Sequence, residues 1–214
     1  MFDSREEAAQ MLSIKLLSSV KEKNIVVLAL ARGAITMGKI IANYFSVPFD
    51  ILVFKKIGVS QNKELAIGVI GPKNTIFWNN DILKKLGLSK KEIISLKKQK
   101  EKERRRLEKE LRLGRKPLEL LDKTVILIDD GVATGATVMA ARIYLRKQKV
   151  EKIILATPVI AKDTYKEIKE FFDKIIFIKK PRNFHAVGEF YKNFRQVGNK
   201  ESRLILNQFR KKKE

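Results

Sequence analysis

The sequence contains no cysteine and only one histidine, His185. The absence of cysteine excludes a disulfide framework, a thiolate zinc site and a cysteine nucleophile, and one histidine excludes most histidine-based metal sites. No apolar run reaches the roughly 18 residues that a membrane-spanning helix requires. The first ten residues are acidic and polar, whereas a secretory signal peptide would be basic and then apolar. We therefore expect a cytoplasmic protein with no membrane partner.

Acidic residues are also scarce, with 24 Asp and Glu against 46 Lys and Arg, which gives a net charge of +22. Such an excess favours polyanionic partners, for example nucleic acid, phosphorylated ligands or an anionic membrane surface. Apolar residues nevertheless make up 44% of the 214 residues. That share is enough to build a core and excludes a chain that is disordered over most of its length.

Short apolar runs alternate along the chain with amphipathic helical patterns. Such alternation is typical of βαβ units, and continuous apolar runs are typical of parallel strands that are buried on both faces. We therefore predict an α/β fold with a Rossmann-like open, mainly parallel sheet and helices on both faces. The predicted strands cover residues 25–31, 49–56, 124–130, 152–160 and 174–180, and the predicted helices cover residues 4–23, 35–45, 138–148 and 163–172.

We expect residues 1–214 to form a single domain, because no internal repeat or low-complexity linker divides them. Its core would span about 24–180, followed by a small C-terminal extension at about 181–214. A basic helical insertion is predicted at about 79–116. Residues 84–116 contain 15 basic and 5 acidic residues, a net charge of +10. Almost half of the excess positive charge therefore lies in one predicted helical pair.

The segment Val125–Thr137, VILIDDGVATGAT, carries the clearest chemical signal. Its apolar part ends a predicted parallel strand, and open α/β sheets bind ligands at the carboxyl ends of such strands. Two adjacent carboxylates follow, Asp129 and Asp130. The small residues after them open a helix, whose free amides bind phosphate. This combination suits a phosphorylated sugar with a cis-diol, although the carboxylates could also cap the helix and the TGAT turn could be an ordinary tight turn.

The same segment resembles the phosphoribosyl-diphosphate (PRPP) binding motif of type I phosphoribosyltransferases, which has an apolar strand, two acidic residues, three variable positions and T-G-x-T. The resemblance implies the type I phosphoribosyltransferase fold. It also implies transfer of the 5-phosphoribosyl group from PRPP to a small nitrogenous base, with release of diphosphate and with Mg²⁺ as cofactor. Asp129 and Asp130 would be catalytic residues that contact the ribose 2′ and 3′ hydroxyls directly or hold the metal.

The loop after the first strand, at residues 30–33, resembles the diphosphate loop of this family, which often carries a strained peptide bond. Arg32 would act there as a third catalytic residue, because its planar fork of donors suits phosphate oxygens. Residues 55–71 occupy the place of the family's mobile catalytic loop. The composition of residues 57–74 predicts a mobile loop or a short hairpin. The substrate-binding residues implied by the resemblance are Ala31, Gly33, Lys55, Lys56, Gly131, Ala133, Thr134, Gly135, Ala136, Thr137 and Phe184.

Several alternatives remain open for these side chains. Arg32 could be a surface residue of an ordinary turn, and Lys55 and Lys56 could be solvated lysines at a strand end. The aromatic residues of the tail could stack on a planar base or pack the tail onto the sheet. His185 could be a general base or a bystander. The tail aromatics are Phe184, Phe190, Tyr191 and Phe194.

The chain is also similar to a subgroup of uncharacterised phosphoribosyltransferases in four segments, at residues 31–34, 54–69, 128–137 and 181–197. It departs from that subgroup's pattern by having Ala31 for Pro, Ala34 for Gly, Phe190 for Trp and Asn193 for Asp. Among enzymes of known base, adenine phosphoribosyltransferases are the most similar, through Ala133 before T-G and the A-R-G loop. Adenine is therefore the leading candidate, although those enzymes carry an aromatic residue where this chain has Ala34.

A non-enzymatic function is the second hypothesis, because some proteins with this fold are regulators that sense PRPP and bind nucleic acid. The basic segment 84–116 and the basic run 210–213 could hold a phosphate backbone. The plainer interpretation is a solvated lysine-rich helix or an oligomer contact. Lysines outnumber arginines 33 to 13, whereas base-specific recognition favours arginine. We expect a homodimer that binds PRPP and a base, with nucleic acid as a less favoured partner.

Overall fold

The structure is a computed structural model that describes residues 1–59 and 62–211. Parts of the predicted segment 57–74 and of the basic run 210–213 therefore lie outside the described residues. Within the described part of the chain, no helix is long and apolar enough to cross a membrane.

The helices are α1 (Arg5–Ser19), α2 (Ile35–Phe45), α3 (Asn80–Leu86), α4 (Lys90–Arg112), α5 (Ala136–Lys147), α6 (Lys162–Ile168) and α7 (Asn199–Lys211). The strands are β1 (Ile25–Ala31), β2 (Phe49–Val53), β3 (Lys55–Val59), β4 (Asn62–Ile70), β5 (Ile76–Trp78), β6 (Thr124–Ile128), β7 (Lys152–Val159) and β8 (Lys174–Lys179).

The main sheet has five parallel strands in the order β2-β1-β6-β7-β8. Successive side chains of a strand point to opposite faces, and both faces are apolar here. On β1, Val27 and Ala29 join the core cluster beneath α1 and α2, whereas Val26, Leu28 and Leu30 join the cluster beneath α5. The predicted open parallel sheet with helices on both faces is therefore confirmed.

A second, antiparallel sheet of β3, β4 and β5 projects from the first. The sequence indicates one strand over 49–56, and this prediction is wrong, because the run is divided between β2 and β3. Phe54 separates them and lies buried against Gly71, where an added Cβ would come within 2.0 Å of the Phe54 ring. The sequence predicts either a mobile loop or a short hairpin at residues 57–74. The structure has a hairpin, formed by β3 and β4, and it ends at Ile70.

The predicted basic helical pair corresponds to α3 and α4. Ser89 and Glu92 form a capping box at the start of α4, which fixes where this long helix begins. Much of the charge at its C-terminal half is paired within the helix: Arg104 contacts Glu101 and Glu108, at 2.8 and 2.6 Å. These pairs fix where part of the charge lies but leave the net charge of +10 unchanged, because the acidic residues are already subtracted from it.

One ion pair anchors α4 to the main sheet. Arg112 donates two hydrogen bonds of 2.8 Å to the carboxylate of Asp50 on β2, and a further one of 2.7 Å to the carbonyl of Ile51. Both charged side chains are almost completely buried, at 6% and 2% exposure. The backbone N–H of Leu118 also donates to Asp50. This buried pair joins the basic insertion to the edge of the main sheet.

The C-terminal extension ends in α7, a helix that the sequence patterns do not predict. Its residues Leu206 and Phe209 are buried in the cluster that includes α1 and α2. The Phe209 ring meets the edge of Phe49 with 5.3 Å between centroids. The extension therefore packs onto the main core and brings the start of α7 close to β1.

We predict that Arg112→Gln lowers the free energy of unfolding by roughly 3–5 kcal/mol, because it removes the guanidinium that pairs with the buried carboxylate of Asp50. Urea denaturation followed by circular dichroism measures this change. The matched control is Arg105→Gln on the same helix, whose exposed guanidinium is expected to contribute less than about 1 kcal/mol because Glu101 keeps its pair with Arg104. Equal losses in the two variants would contradict the anchoring role.

Candidate functional site

The site lies where the strand order of the main sheet reverses. The chain passes from β1 to β2 on one side, and later adds β6 on the other side of β1. Open α/β sheets bind ligands in the crevice at such a switch point, outside the carboxyl ends of the strands. Ala29 on β1 pairs with Ile128, the last residue of β6. The loop that follows β1 and the acidic pair that follows β6 therefore meet at one edge.

The turn between β6 and α5 is held rigidly against β7. The N–H of Val132 donates to the carbonyl of Val159 at 2.9 Å, and the N–H of Ala161 donates to the carbonyl of Val132 at 3.0 Å. The hydroxyl of Thr164 also donates to the carbonyl of Ala133. Gly135 lies just before α5 with φ +72°, a left-handed conformation that favours glycine. The first amides of α5, which have no partner within the helix, are thereby presented to the crevice.

A small pocket of about 100 Å³ opens over this turn. Thr134 is exposed and Thr137 half-buried, so both hydroxyls supplement the amides of the turn. The size and the donors suit one phosphate group, as expected for an anion at a helix N-terminus. The sequence-predicted residues that line the pocket are Lys56, Asp129, Gly131, Ala133, Thr134, Gly135, Ala136 and Thr137, and Val132, Val138 and Val187 complete it.

The two carboxylates follow the last residue of β6, so the alternation of side chains along a strand does not separate them. Burial raises the pKa of the Asp129 carboxyl well above its usual range, and the charge of Asp130 raises it further. The N–H of Asp130 donates to Asp129 Oδ1 at 3.0 Å, which opposes that increase together with the charge of Lys56. Burial also raises the pKa of Asp130, against the opposing charge of Arg5. Without a cation beside it, this shift favours the protonated, neutral form of the Asp129 carboxyl, and a bound cation would favour the carboxylate.

The loop after β1 lies directly against the acidic pair. The peptide bond between Ala31 and Arg32 is cis. A Cβ on Gly33 would come within 2.2 Å of Asp130 Oδ2, so only glycine allows this approach. Arg32 donates from Nη1 to the side chain of Asn199 at 2.9 Å, and Asn199 donates to Glu110 at 3.0 Å. Residues from α7 and α4 therefore orient Arg32.

A second pocket of about 260 Å³ is lined by residues of this loop, of β3, of α4 and of α7. Arg32 and Lys55 line it, so the structure places these two predicted residues together. Arg106 of α4 adds a third cationic side chain to its wall. The carboxylates of Glu103 and Glu110 lie there as well. Three cationic side chains around one cavity suit an anionic group. The two carboxylates oppose part of their positive charge.

The tail aromatics are placed differently from one another. Tyr191 is buried, stacks on Phe194 with 5.1 Å between centroids and contacts Phe2. Phe184 is half-buried against Phe190, and the residue that the tail contributes to the small pocket is Val187. His185 is exposed. The packing interpretation therefore holds for Tyr191 and Phe194, and the structure does not bring Phe184 or His185 into the wall of either pocket.

Sequence reasoning missed several residues of this site. Arg5 donates from Nε to Asp130 at 2.9 Å, and Tyr191 donates its hydroxyl to the carbonyl of Asp130 at 2.6 Å. Asn199 and Arg106 were also unassigned. The signal available for Arg5 was an arginine in the first turn of an amphipathic helix, where acidic residues are more favourable.

The donor set fits Mg²⁺ if the substrate supplies part of the coordination. The carboxylate of Asp129 contacts no ammonium or guanidinium group directly within the described part of the chain, and its burial leaves its charge poorly compensated. Among the described residues, no group of three or more His, Cys, Asp or Glu side chains could enclose a metal. Mg²⁺ commonly binds through one or two carboxylates plus substrate phosphates and water. Asp129 and Asp130 would therefore hold it together with a phosphorylated ligand.

Comparison with known proteins identifies the class that this fold and site define. A family model described as the phosphoribosyl transferase domain matches residues 3–194. The chain therefore belongs to the phosphoribosyl transferase domain family.

Two similar relatives come from Mycobacterium tuberculosis, from strains H37Rv and CDC 1551, and are named "Putative phosphoribosyl transferase" Rv0571c and MT0597. Each is 31% identical over 207 residues, which cover 97% of this chain and 46% of the relative. The chain thus spans about half the length of the curated relatives it matches.

Among solved structures, TT1426 from Thermus thermophilus has a similar fold, with a TM-score of 0.81 at 24% identity. The match covers 97% of this chain and 98% of that one. The shared architecture therefore extends beyond the parallel core to nearly the whole of both chains.

We predict that Gly33→Ala destabilises the protein by roughly 1–3 kcal/mol, the usual cost of overpacking. The new Cβ would overlap the carboxylate of Asp130, which Arg5 holds in place. The matched control is Gly198→Ala, since a Cβ there meets no atom within 4 Å. Chemical denaturation of both variants measures the difference. A Gly33→Ala protein as stable as the control would show that Asp130 is not fixed.

Proposed function

We propose that the protein transfers the 5-phosphoribosyl group of PRPP to a nitrogenous base and releases diphosphate. The observation that carries this proposal is the small pocket at the switch point, where a phosphate-binding turn and the carboxylate of Asp129 face one cavity. Family membership supports it independently. A ligand that satisfies both parts must combine a phosphate with neighbouring hydroxyls or a bound cation.

The turn before α5 binds the 5′-phosphate in this proposal. Backbone amides at the start of the helix and the hydroxyls of Thr134 and Thr137 donate to its oxygens, and the positive end of the helix favours its charge. Asp129 lines the pocket beside the turn and contacts the ribose hydroxyls directly or through Mg²⁺, and Asp130 lies next to it in the chain. When bound, Mg²⁺ would supply electrostatic stabilisation of the diphosphate charge.

The larger pocket receives the diphosphate. Displacement at C1 of the ribose breaks the bond to the diphosphate oxygen and forms a bond to the base nitrogen, so negative charge grows on the departing group. Arg32 and Lys55 line the pocket and stabilise that charge. Because Asn199 already orients Arg32, little reorganisation is required during the reaction.

The base is the least constrained part of this proposal, and adenine is our leading candidate. Ala133 brings no side-chain carboxylate toward the base, in contrast to an acidic residue that would accept a proton from it. The side chains of the phosphate turn from Val132 to Thr137 are apolar or carry a hydroxyl. A purine that needs no carboxylate at position 133 fits this composition.

We expect diphosphate release when the protein is incubated with PRPP, Mg²⁺ and a panel of bases, with adenine giving the highest rate. The base panel includes hypoxanthine, guanine, xanthine, uracil and orotate. A coupled pyrophosphatase assay measures the product, and chromatography identifies the nucleotide formed. Absence of turnover with every base, in a protein that is folded, would contradict the proposed activity.

We predict that Asp129→Asn lowers this activity by several orders of magnitude while leaving the melting temperature almost unchanged. The carboxylate opposes positive charge in the site, and removal of one preorganised electrostatic partner commonly costs roughly 10²–10³-fold or more. The matched control is Asp122→Asn in the turn before β6, at the far end of that strand from the pocket. Full activity of a folded Asp129→Asn protein would contradict the assignment.

A PRPP-sensing regulator that binds nucleic acid is the second candidate function. The exposed lysines of α4 favour it, whereas the ion pairs of Arg104 and Arg112 use part of the helix charge internally. Binding of transfer RNA or duplex DNA with a steep dependence on salt would support this function. Diphosphate release without such binding would support the enzyme.

A further inference from the structure

Arg5 reaches the acidic pair from the opposite end of the chain. It is the first residue of α1, and its side chain is 9% exposed. Its Nε and Nη2 atoms lie 2.9 and 2.8 Å from Oδ2 of Asp130. A buried guanidinium that meets a buried carboxylate with two nitrogens is a strong and directional contact. The charge of Asp130 is therefore balanced before any ligand binds.

The remaining contacts of Arg5 hold it in place. Its Nη1 atom donates to the carbonyl of Arg195 at 2.8 Å, and its guanidinium carbon lies 3.9 Å from the centre of the Phe194 ring. Tyr191 fixes the other end of Asp130 by donating its hydroxyl to the backbone carbonyl. With its nitrogens engaged by protein groups and its face covered by an aromatic ring, Arg5 is oriented toward Asp130 and not toward a ligand.

Asp129 differs from Asp130 in each of these respects. It lines the phosphate-sized pocket, whereas Asp130 does not. It accepts a hydrogen bond from the N–H of Asp130, and among the described residues no Lys or Arg side chain pairs with it directly. The two neighbouring acids therefore occupy opposite situations, one neutralised by a buried cation and one turned to the cavity.

We propose that Arg5 is a positioning residue that neutralises and immobilises Asp130, so that Asp129 is the carboxylate that engages the ribose hydroxyls or the metal of bound PRPP. This inference rests on the proposed function and divides the roles within its acidic pair. Without Arg5, two adjacent buried carboxylates would face a polyanionic substrate with no compensating charge. The affinity for that substrate would fall equally in the ground state and in the transition state.

We expect Arg5→Gln to raise the KM for PRPP by roughly tenfold or more, as for removal of one partner of a buried charge pair. The kcat is expected to change less than about threefold, because a loss common to ground state and transition state changes KM alone. Arg5→Lys, which keeps the charge but loses the fork, is expected to recover part of the affinity. Steady-state kinetics and calorimetric titration with PRPP and Mg²⁺ measure both effects.

A double-mutant cycle tests whether Arg5 acts through Asp130. In an Asp130→Asn background the carboxylate charge is already absent, so we expect Arg5→Gln to cause no further loss of PRPP affinity. Equal losses in the wild-type and Asp130→Asn backgrounds would overturn the proposal. The calorimetric binding constant provides this comparison even if the variants turn over slowly.

Arg112→Gln is the control for a purely structural effect, because it breaks another buried arginine–carboxylate pair whose two residues line neither pocket. We expect it to lower stability without changing PRPP affinity. If Arg5→Gln behaves in the same way, with a lower melting temperature and an unchanged KM and binding constant, the proposal fails. If the wild-type protein binds PRPP but transfers it to no base, the proposed function fails and the binding cycle still decides the role of Arg5. If it does not bind PRPP, both fail.

Discussion

The parallel pairing of β1 with β6 is the constraint on which the rest of the site depends. It joins two strands that are far apart in the sequence and places their carboxyl ends side by side, so that one loop and one acidic pair share a crevice. The contact between Gly33 and Asp130 then fixes how closely the two loops approach. The loop after β1 contributes Arg32 to the larger pocket, and the segment after β6 contributes Asp129 and the phosphate turn to the small pocket. A single strand pairing thus organises two chemically different cavities.

The partners of individual charged residues say more about this protein than its net charge does. The composition indicates a basic molecule, but the buried arginines that the structure describes are committed to carboxylates. Arg104 and Arg112 stabilise α4 and its junction with the sheet, and Arg5 compensates an acid in the site. The cations of the larger pocket, by contrast, share a cavity with Glu103 and Glu110. Part of the arginine content therefore serves the internal structure, and the net charge of +22 is what remains after all acidic residues are subtracted.

The sequence predicted the parallel core and the phosphate turn because both depend on local patterns. Apolar runs such as 25–31 require burial on two faces, and the spacing from Asp129 to Thr137 is contiguous. It did not predict the break at Phe54, because the apolar run continues across it and only packing against Gly71 divides it. It also missed α7, whose buried face is filled by few apolar residues. Arg5 and Asn199 could not be assigned, because their partners lie 125 and 89 or more positions away in the chain.

The meeting of residues 2–5 with residues 190–195 beside Asp130 has a consequence for how the protein is made. The backbone of Phe2 bonds to that of Phe190 and Lys192, and Arg5 bonds to the carbonyl of Arg195. Synthesis proceeds from the N-terminus, so these long-range partners of residues 2–5 are absent until residues 190–195 have been made. Contacts of such long sequence separation form late, because the intervening chain must first be ordered. The support of Asp130 by Arg5 and the tail therefore forms after the phosphate turn, whose partners Val159 and Ala161 lie earlier in the sequence.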